Sequence, residues 1–570
     1  MPINLASPGI LVKEVDLTIG RVDSATDKNG AIVLTAEKGP VNIPIICESE
    51  QDLIDNFGKP RATNDSYESW LVASSYLAYG GILSVVRAPD TSLKNASVGN
   101  AITINSVDDY VNKGYDETNI EDVTVAARNP GSWANGLKIA IIDGAADQIL
   151  SVGSTAEIAV GYGITQAIDT PLPGAGTTTS LDGYLKGIVT GVGTGVGLGT
   201  SQIQVKVLSH VSAGQTETVV DYQASGVYAF GTTNNIGINS TTAVGFTTVS
   251  VDTQTDWFDA QEIQVKNGSP IKWNQIAERP GTSSFAEARN SRFDEVHVVV
   301  IDEKGSITGN AGTIIEKDLN LSKAKDAEFS AGSSSYWRKF IENNSPYIFA
   351  GDQPSQPTGV GTVSAFKTNN DGTINGTGFS KEDDNGWDQD AQDIKFTNVG
   401  NVGYALTSGK NYDGNEDITE DGALSVDLSG LIEGYELFEN TEEYDIDFLL
   451  MGSGSHPTTT AQSLANKIIA IAEIRKDALA FVSPNKSTFI TNAGTTDASL
   501  NSTADTTTNI LNYYGSITSS TYAVFDSGYK YMFDRFNSTF RYIPLNGDIA
   551  GTCARNDINN FPWFSPAGTA

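Results

Sequence analysis

The fold is decided by the segment at residues 521–570, which reads TYAVFDSGYKYMFDRFNSTFRYIPLNGDIAGTCARNDINNFPWFSPAGTA. It contains two aromatic runs, Tyr529–Phe533 and Phe540–Ile543, with the residue types that β-strands favour. Asn537 and Ser538 stand between the runs and favour a turn. The segment therefore predicts an aromatic β-hairpin.

A helix is predicted directly after this hairpin. Pro544 cannot donate a ladder hydrogen bond, so it is expected to end the second strand. The side chain of Asn546 or Asp548 is suited to cap the following helix. The small residues of that helix share one face: Ala550, Gly551 and Ala554. Small side chains allow close approach, and we expect the partner of this face to be a sheet.

The balance of charge excludes several classes of function. The chain has 36 Lys and Arg against 69 Asp and Glu, and its net charge is −33. Nucleic-acid binding needs basic stripes that displace counterions, and an anionic membrane surface repels an acidic chain. Neither direct binding to nucleic acid nor stable membrane insertion is therefore expected. The acidity is interpreted as a source of solubility, or as a match for a basic partner.

Cysteine usage and apolar segments indicate the compartment. The chain has two cysteines, Cys47 and Cys553, which argues against a disulfide framework and favours a reducing cytosol. Residues 1–20 lack the basic start and long apolar core of a signal peptide. No apolar run approaches the roughly 20 residues that span a bilayer. We therefore expect a soluble protein made in a cytoplasm.

The clearest local pattern lies in the C-terminal third. An apolar strand is predicted over Tyr444–Met451, a helix over Ala461–Arg475 and a return strand over Leu479–Val482. Together they predict a βαβ unit with a right-handed crossover. The expected fold class is α+β and multidomain: an α/β core with this βαβ unit, formed from N- and C-terminal parts, plus inserted all-β domains.

Changes in composition suggest the domain boundaries. A length of 570 residues predicts roughly three to five domains. Thr, Gly, Ser and Val dominate the middle of the chain, whereas helical patterns occur on either side. The predicted parts are an extended N-terminal arm (1–20), the first part of the α/β core (21–90), inserted β-rich outer domains (91–285), a middle α/β or β-rich part (286–350), a polar loop insertion (351–400) and the second part of the core (401–570).

The sequence contains no recognisable catalytic constellation. Its three histidines are scattered along the chain: His210, His297 and His456. A nucleophile elbow of the form G-x-S-x-G would need serine at the position of Gly454. No Gly-Lys pair is followed by Ser or Thr, so a Walker loop is absent. We therefore assign no catalytic, cofactor-binding or metal-binding residue, no cofactor and no enzymatic activity.

Two further runs suggest ligand sites and fail on spacing. The glycine-rich run 191–197 has Val196 where a dinucleotide fingerprint needs glycine, so a surface loop is expected. In the acidic run 382–390, placing Gly386 at position six of a calcium loop puts Lys381 at position one, which excludes an EF-hand. A solvated acidic loop is the expectation there, and a weaker calcium site stays open.

Four short motifs follow one another in the last segment. They are Tyr529-Lys530-Tyr531, then Arg541 with Pro544, then Ala550-Gly551-Thr552-Cys553-Ala554-Arg555-Asn556-Asp557, and finally Trp563-Phe564-Ser565-Pro566-Ala567-Gly568. In this order they resemble the core motif of contractile tail sheath proteins, most closely those of T4-like myophages. The resemblance extends to Phe57-Gly58-Lys59-Pro60, Tyr79-Gly80-Gly81 and Val86-Arg87-Ala88.

This resemblance implies a structural protein rather than an enzyme. In that family, subunits form stacked rings around a tail tube and work with baseplate and tail terminator proteins. Contraction of the sheath drives the tube through the host envelope for genome delivery, and no nucleotide or metal is consumed. The implied location is the virion tail, after assembly in the cytoplasm of the host bacterium.

The resemblance also assigns roles to individual residues. Ser7-Pro8-Gly9-Ile10 followed by Lys13-Glu14-Val15 resembles the opening of sheath proteins, where an arm adds a strand to a neighbouring subunit. The implied linking strand carries Ile10, Val12 and Val15, although the residues alone also allow an ordinary first strand. The implied core motif consists of Arg541, Pro544, Gly551, Arg555 and Asp557.

One departure and two alternatives stay open. Sheath proteins continue beyond the Pro-Ala-Gly motif into a C-terminal arm, whereas this chain stops at Ala570; without such an arm, a monomer that does not polymerise alone is expected. One alternative is a β-rich tail protein that binds or hydrolyses host polysaccharide through the Thr- and Gly-rich middle. The other is the sheath of a bacterial contractile injection system.

Overall fold

A computed structural model describes most of the chain. The described residues are 28–61, 67–118, 120, 122–156, 158–171, 180–193, 198–212, 214, 216–223, 228–239, 246–266, 268–354, 366–368, 374–379, 384–385, 387–414, 416, 426–491, 499–559 and 564–566. The predicted linking strand with Ile10, Val12 and Val15 lies outside them. So do Trp563 and Gly568 of the last motif, residues 194–197 of the glycine-rich run, and Lys381 and Gly386 of the acidic run.

Two compact units make up the described chain. The first, here called the core unit, takes its residues from 28–117, 126–135 and 407–566. The second, here called the inserted unit, takes its residues from 118–125 and 136–406. Among the described helices of both units, none is long and apolar enough to cross a membrane.

The core unit is built on a six-stranded sheet. Its strands lie in the spatial order Pro44–Cys47, Ile82–Arg87, Asn29–Leu34, Phe448–Leu450, Leu479–Val482 and Ala523–Phe525. Neighbours are parallel except for the edge strand Pro44–Cys47, which runs antiparallel to its neighbour. After Asn29–Leu34 the chain forms the edge strand Pro44–Cys47 and then inserts Ile82–Arg87 between the two, whereas from Phe448–Leu450 it builds outward on the other side. The sheet is therefore doubly wound, with a switch point between these two strands.

Helices cover both faces of the central sheet. One layer contains Glu50–Phe57, Tyr67–Leu77 and Asn546–Asn559, and the other contains Leu428–Glu436, Thr458–Arg475 and Thr503–Tyr514. Alternate side chains of one strand face the two layers: Ile32 contacts the first and Val33 contacts the second. Burial on both faces explains why these strands are almost entirely apolar.

Local sequence signals set several helix ends. Ser49 and Asp52 form a reciprocal capping box at the start of helix Glu50–Phe57, and that helix ends at Gly58 with φ of 81°. The longest helix, Thr458–Arg475, ends at Lys476 in the left-handed region, with φ of 64°. These ends turn the chain back toward the sheet after each helix.

The predicted hairpin is confirmed. Its strands, Tyr529–Asp534 and Thr539–Pro544, pair antiparallel, and they are here called the hairpin. The connection is longer than Asn537 and Ser538 alone, since residues 535–538 form the turn. Pro544 is the last residue of the second strand, as expected from its missing donor.

The helix after the hairpin forms over Asn546–Asn559, but the expected caps are wrong. Asn546 is its first residue, and the Asn546 side chain bonds to Gly452 and Ser483 instead. The Asp548 carboxylate pairs with the Lys530 ammonium. The small face packs near the sheet, as expected, and it also meets the helix Tyr67–Leu77.

The inserted unit is dominated by antiparallel sheets. The main path of its largest sheet has the order Phe246–Val249, Ile236–Asn239, Gly163–Pro171, Ser180–Val192, Gln202–Val211, Gln148–Val152 and Val251–Asp256, and Glu217–Val219 pairs beside Gln202–Val211. A second sheet has the order Thr313–Ser322, Glu295–Asp302, Leu137–Asp143 and Asn401–Ala405. Helices Ser284–Glu287 and Trp337–Asn344 belong to the same unit.

Short elements complete the described chain. The strands are Ser97–Gly99, Val123–Ala127, Glu262–Ile263, Ile271–Lys272, Glu328–Ser330, Ser333–Ser334, Ile348–Ala350, Phe366–Thr368, Ile374–Phe379, Asp384–Asn385, Lys395–Phe396, Ile490–Thr491 and Ser499–Leu500. One further α-helix covers Val107–Asn112. Residues 351–400, expected as a polar loop insertion, thus carry short strands in their described part.

Candidate functional site

The carboxyl ends of the central strands border the crevice where open α/β sheets usually bind ligands. Residues 452–455 follow strand Phe448–Leu450 there, and residues 483–486 follow strand Leu479–Val482. A Cβ added to Gly454 would lie 1.9 Å from the Tyr529 hydroxyl, which itself donates to the Pro484 carbonyl at 3.0 Å. The protein's own side chains therefore occupy this crevice.

Glu68 is the centre of the polar network in the crevice. Its side chain is fully buried in the first turn of helix Tyr67–Leu77. One carboxylate oxygen accepts from the Ser455 hydroxyl at 2.7 Å and from the Lys486 ammonium at 2.8 Å. The other accepts from the Ser453 hydroxyl at 2.9 Å and from the Gly454 amide at 3.2 Å. Four donors, one of them the Lys486 cation, thus satisfy a carboxylate that has no access to water.

Arg541, a predicted core-motif residue, belongs to the same region. Its guanidinium carbon lies 3.8 Å from the centre of the Tyr67 ring, and the Lys486 ammonium lies 5.5 Å from that same centre. Cations over an aromatic face are attracted by the ring quadrupole. Arg541 also donates to the buried Asp534 carboxylate at 2.8 Å. It therefore links the hairpin to the helix that carries Glu68.

Asp534 in turn shapes the end of the hairpin. Its carboxylate accepts from the backbone amides of Phe536 and Asn537 at 3.0 and 3.3 Å, and from the Asn537 side chain at 2.8 Å. These bonds close the turn at residues 535–538. Phe536 then contacts Trp70 edge to face, with ring centres 5.1 Å apart, which fixes the turn against helix Tyr67–Leu77.

A second cluster joins the last helix to two strand ends. The Asn546 side chain accepts from the Gly452 amide at 3.2 Å, and donates to the Gly452 carbonyl and the Ser483 hydroxyl, each at 2.9 Å. Ser483 donates to the Asp526 carboxylate. Burial raises the pKa of Asp526 to about 7, even though Ser483 and the Gly528 amide both favour its charged form.

The remaining predicted residues lie apart from one another. Gly551 faces the Tyr79 ring, and a Cβ added there would approach within 2.5 Å of a ring carbon. Arg555 is exposed on the same helix, whereas Asp557 is buried. The structure thus places Arg541 in the crevice network and Gly551 in a helix contact, and it does not gather the five core-motif residues into one cluster.

Replacing Gly551 by Ala is expected to lower the free energy of unfolding by about 1–2 kcal/mol. The methyl group would overpack against Tyr79, which costs about 1–3 kcal/mol, while the better helix propensity of alanine returns up to about 1 kcal/mol. Urea unfolding of both proteins measures the difference. Thr552→Ala on the same helix is the control, and an equal effect of the two substitutions would contradict close packing at Gly551.

Sequence reasoning missed Glu68 and Lys486, and it assigned Asn546 to a helix cap instead of to the strand ends. Glu68 and Lys486 are 418 residues apart, so no local pattern connects them. The available signal was the run Gly452-Ser453-Gly454-Ser455 at the end of a predicted strand. This run marks the correct edge of the sheet, although its spacing predicts neither a nucleophile elbow nor an ion pair.

The outer face of the hairpin is exposed and aromatic. Tyr531, Phe533 and Phe540 are 60%, 49% and 56% exposed. Tyr531 stacks on Phe540 with ring centres 5.1 Å apart, and Tyr542 lies 4.7 Å from Tyr531 on the same face. Within the described residues, the two strands pair only with each other. These four aromatic residues are here called the aromatic face.

Two curated proteins match the chain over almost all of its length. The tail sheath protein of Enterobacteria phage T4 is 23% identical over 593 residues, covering 99% of this chain and 75% of the relative. The tail sheath protein of Vibrio phage KVP40 is 25% identical over 585 residues, covering 99% of this chain and 76% of the relative. The chain is a homologue of phage tail sheath proteins.

Other comparisons add little to this relationship. No family model matches the sheath homologue. A solved sheath tail protein from Listeria innocua covers 91% of this chain and 68% of its own, with 8% identity and a TM-score of 0.25, which is too low to show a shared fold. Tail sheath proteins are structural, so the expectation of a structural protein rather than an enzyme is confirmed for the sheath homologue.

Proposed function

We propose that the sheath homologue is the structural subunit of a contractile phage tail. Copies polymerise as stacked rings around a tail tube, in contact with baseplate and tail terminator proteins. Contraction then drives the tube through the host envelope for genome delivery. The subunit acts in the virion tail after assembly in the host cytoplasm. The observation that carries this proposal is the match along 99% of the chain to two proteins named as tail sheath proteins.

The aromatic face supports a specific way of joining subunits. A two-stranded hairpin with open edges presents unpaired backbone groups, and an added strand satisfies them. Aromatic side chains beside that edge bury apolar area when the strand arrives. The proposed occupant is the N-terminal arm of a neighbouring copy, with Ile10, Val12 and Val15 on the added strand.

The inner face of the hairpin is suited to carry load from that strand. Lys530 donates to the Ser75 hydroxyl at 2.7 Å and pairs with the Asp548 carboxylate at 2.7 Å. Ile543 is fully buried in the core between the sheet and helix Tyr67–Leu77. A pull on an added strand therefore passes into the central sheet of the core unit. We infer that this core, built from N- and C-terminal parts with its βαβ unit, is the assembling part of the subunit.

Negative-stain microscopy tests the function. The full chain is expected to form striated tubes or rings when it is co-expressed with the tail tube protein from the same phage. Compact monomers under those conditions would contradict the sheath proposal. Binding of the chain to host polysaccharide in that case would favour the β-rich tail protein instead.

Strand addition is tested with a fluorescent peptide of residues 1–20. Tyr531→Ser combined with Phe540→Ser is expected to weaken peptide binding to a chain that starts at Lys28 by about 2 kcal/mol, roughly thirtyfold, because aromatic anchors dominate such contacts. Fluorescence anisotropy measures the affinity. Leu511→Ser is the control, since Leu511 is 69% exposed and lies away from the hairpin in sequence, on helix Thr503–Tyr514. Equal binding by all three proteins would exclude the aromatic face as the acceptor.

A further inference from the structure

The inserted unit contains a pocket with an unusual charge arrangement. Its volume is about 540 Å³, and it opens beside strand Gln202–Val211. Three cationic side chains line it: Lys206, Arg279 and Arg292. In a chain with a net charge of −33, such a concentration of positive side chains needs a physical explanation.

Lys206 is the cation without a carboxylate partner. It is 4% exposed, and its ammonium donates to the Gly144 carbonyl and lies 4.2 Å from the centre of the Phe293 ring. Within the described residues no carboxylate oxygen lies at ion-pair distance from it. Two other buried lysines differ, since Lys186 pairs with a glutamate at 2.7 Å and Lys323 pairs with an aspartate at 2.8 Å.

The carboxylates nearest the pocket are already engaged. Asp147 accepts from the Val207 amide at 2.8 Å and pairs with Arg279 at 3.3 Å. Asp221 pairs with Arg292 at 2.5 Å. The third lining carboxylate, Glu287, is exposed. Arg279 also pairs with the Asp256 carboxylate through both oxygens, so the protein neutralises both arginines. The Asp147 charge acts on Lys206 without direct contact, and Lys206 is thus the lining cation that touches no carboxylate.

Burial of an ammonium that touches no carboxylate is costly. Burial lowers the pKa of Lys206, and the Arg279 and Arg292 guanidinium groups act in the same direction, while Asp147 and Asp143 oppose them. An anion entering the pocket would place an opposite charge in direct contact with the ammonium. Neutral donors in the wall suit the same ligand: Thr282 and Asn290.

We propose that this pocket binds a small oxyanion, a carboxylate or a phosphate, which the Lys206 ammonium holds at the buried end. The volume is within the range of small-molecule sites. Charge attraction and hydrogen bonds from the wall together select oxyanions over neutral solutes. The ligand would stabilise the inserted unit, because it binds the folded chain and compensates Lys206 only there.

Thermal unfolding of the full chain in sodium phosphate tests the site. At constant ionic strength, the Tm is expected to rise with phosphate and then to saturate. Lys206→Met, which removes the ammonium and keeps an unbranched side chain, should weaken the apparent affinity at least about tenfold. Lys186→Met is the matched control and should retain the saturating rise. An equal, non-saturating rise in all three proteins would be general exclusion of phosphate from protein surfaces and would overturn the proposal.

Acylation of the unmodified chain provides a readout that does not depend on the variant folding. Acetic anhydride labelling followed by mass spectrometry reports the reactivity of each lysine. Phosphate at ten times its dissociation constant should slow labelling of Lys206 about tenfold, since about a tenth of the sites stay empty. Labelling of Lys186 should not change. An equal rate at Lys206 with and without phosphate would exclude the site.

Discussion

Glu68→Gln is expected to lower the free energy of unfolding by about 3–5 kcal/mol, because it leaves the buried Lys486 ammonium without its counter-charge. The amide nitrogen of glutamine would also face donors, since each oxygen of Glu68 accepts two hydrogen bonds. A buried donor left without a partner adds to the loss. Urea unfolding followed by fluorescence and by circular dichroism measures the change.

A double-mutant cycle separates the ion pair from the rest of the network. Adding Lys486→Met to the Glu68→Gln chain removes the unpaired charge, so the two losses should fall short of additivity by at least about 1 kcal/mol. Lys467→Met is the control at the surface, where Lys467 pairs with Glu436 at 2.8 Å; it should cost below about 1 kcal/mol. A loss for Glu68→Gln no larger than that of the control would contradict a buried, mutually dependent pair.

The two predicted effects differ because the two pairs differ in solvent access. Lys467 and Glu436 keep 26% and 49% of their side-chain surface in water, so water replaces a lost partner. Glu68 keeps none. The network that fills the crevice thus holds three distant parts of the core unit in one arrangement.

Local patterns predicted the hairpin and the helix after it, because both depend on neighbours in the sequence. The two strands are joined by four residues, and alternate side chains already show which face is apolar. Pro544 ends the second strand because proline has no backbone N–H to donate, whatever the surrounding fold. Elements of this kind are accessible to sequence reasoning without knowledge of the fold.

The cap and the crevice show where such reasoning stops. Asn546 has a side chain suited to cap a helix, but its amide donates hydrogen bonds to Gly452 and Ser483, which are 94 and 63 residues away in the sequence. Only the parallel arrangement of the strands brings these groups together. The same holds for Glu68 and Lys486. The run Gly452-Ser453-Gly454-Ser455 indicates the edge of the sheet from the sequence alone. Only the tertiary fold brings the buried pair Glu68 and Lys486 to that edge.

The stability of the core unit is expected to fall as the pH rises from about 4 to about 7, and Asp526 is the cause. Burial and the nearby Asp548 carboxylate raise the pKa of Asp526 from 3.8 to about 7 in the folded chain. In that window the folded chain keeps a proton that the unfolded chain releases. The contribution to stability is therefore complete below the unfolded pKa, and it is lost as the pH rises through the folded pKa.

Asp526→Asn should abolish this part of the pH dependence. The rise of the Asp526 pKa from 3.8 to about 7 corresponds to about 4 kcal/mol. Partial access of water reduces the expected change in the free energy of unfolding to about 2–3 kcal/mol. The measurement is the urea midpoint of both proteins at several values between pH 5 and 8, compared as a difference. Asp445→Asn, at an exposed position, should follow the unmodified chain.

The difference between the two proteins distinguishes burial from hydrogen bonding at Asp526. The Ser483 hydroxyl and the Gly528 amide both stabilise the ionised form, the latter across 3.1 Å, and they act against desolvation. If the unmodified chain loses stability relative to Asp526→Asn as the pH rises from 5 to 8, desolvation dominates and the folded chain holds the proton at pH 5. A difference that does not vary with pH would mean that Asp526 is ionised throughout, and that its two donors outweigh the cost of burial.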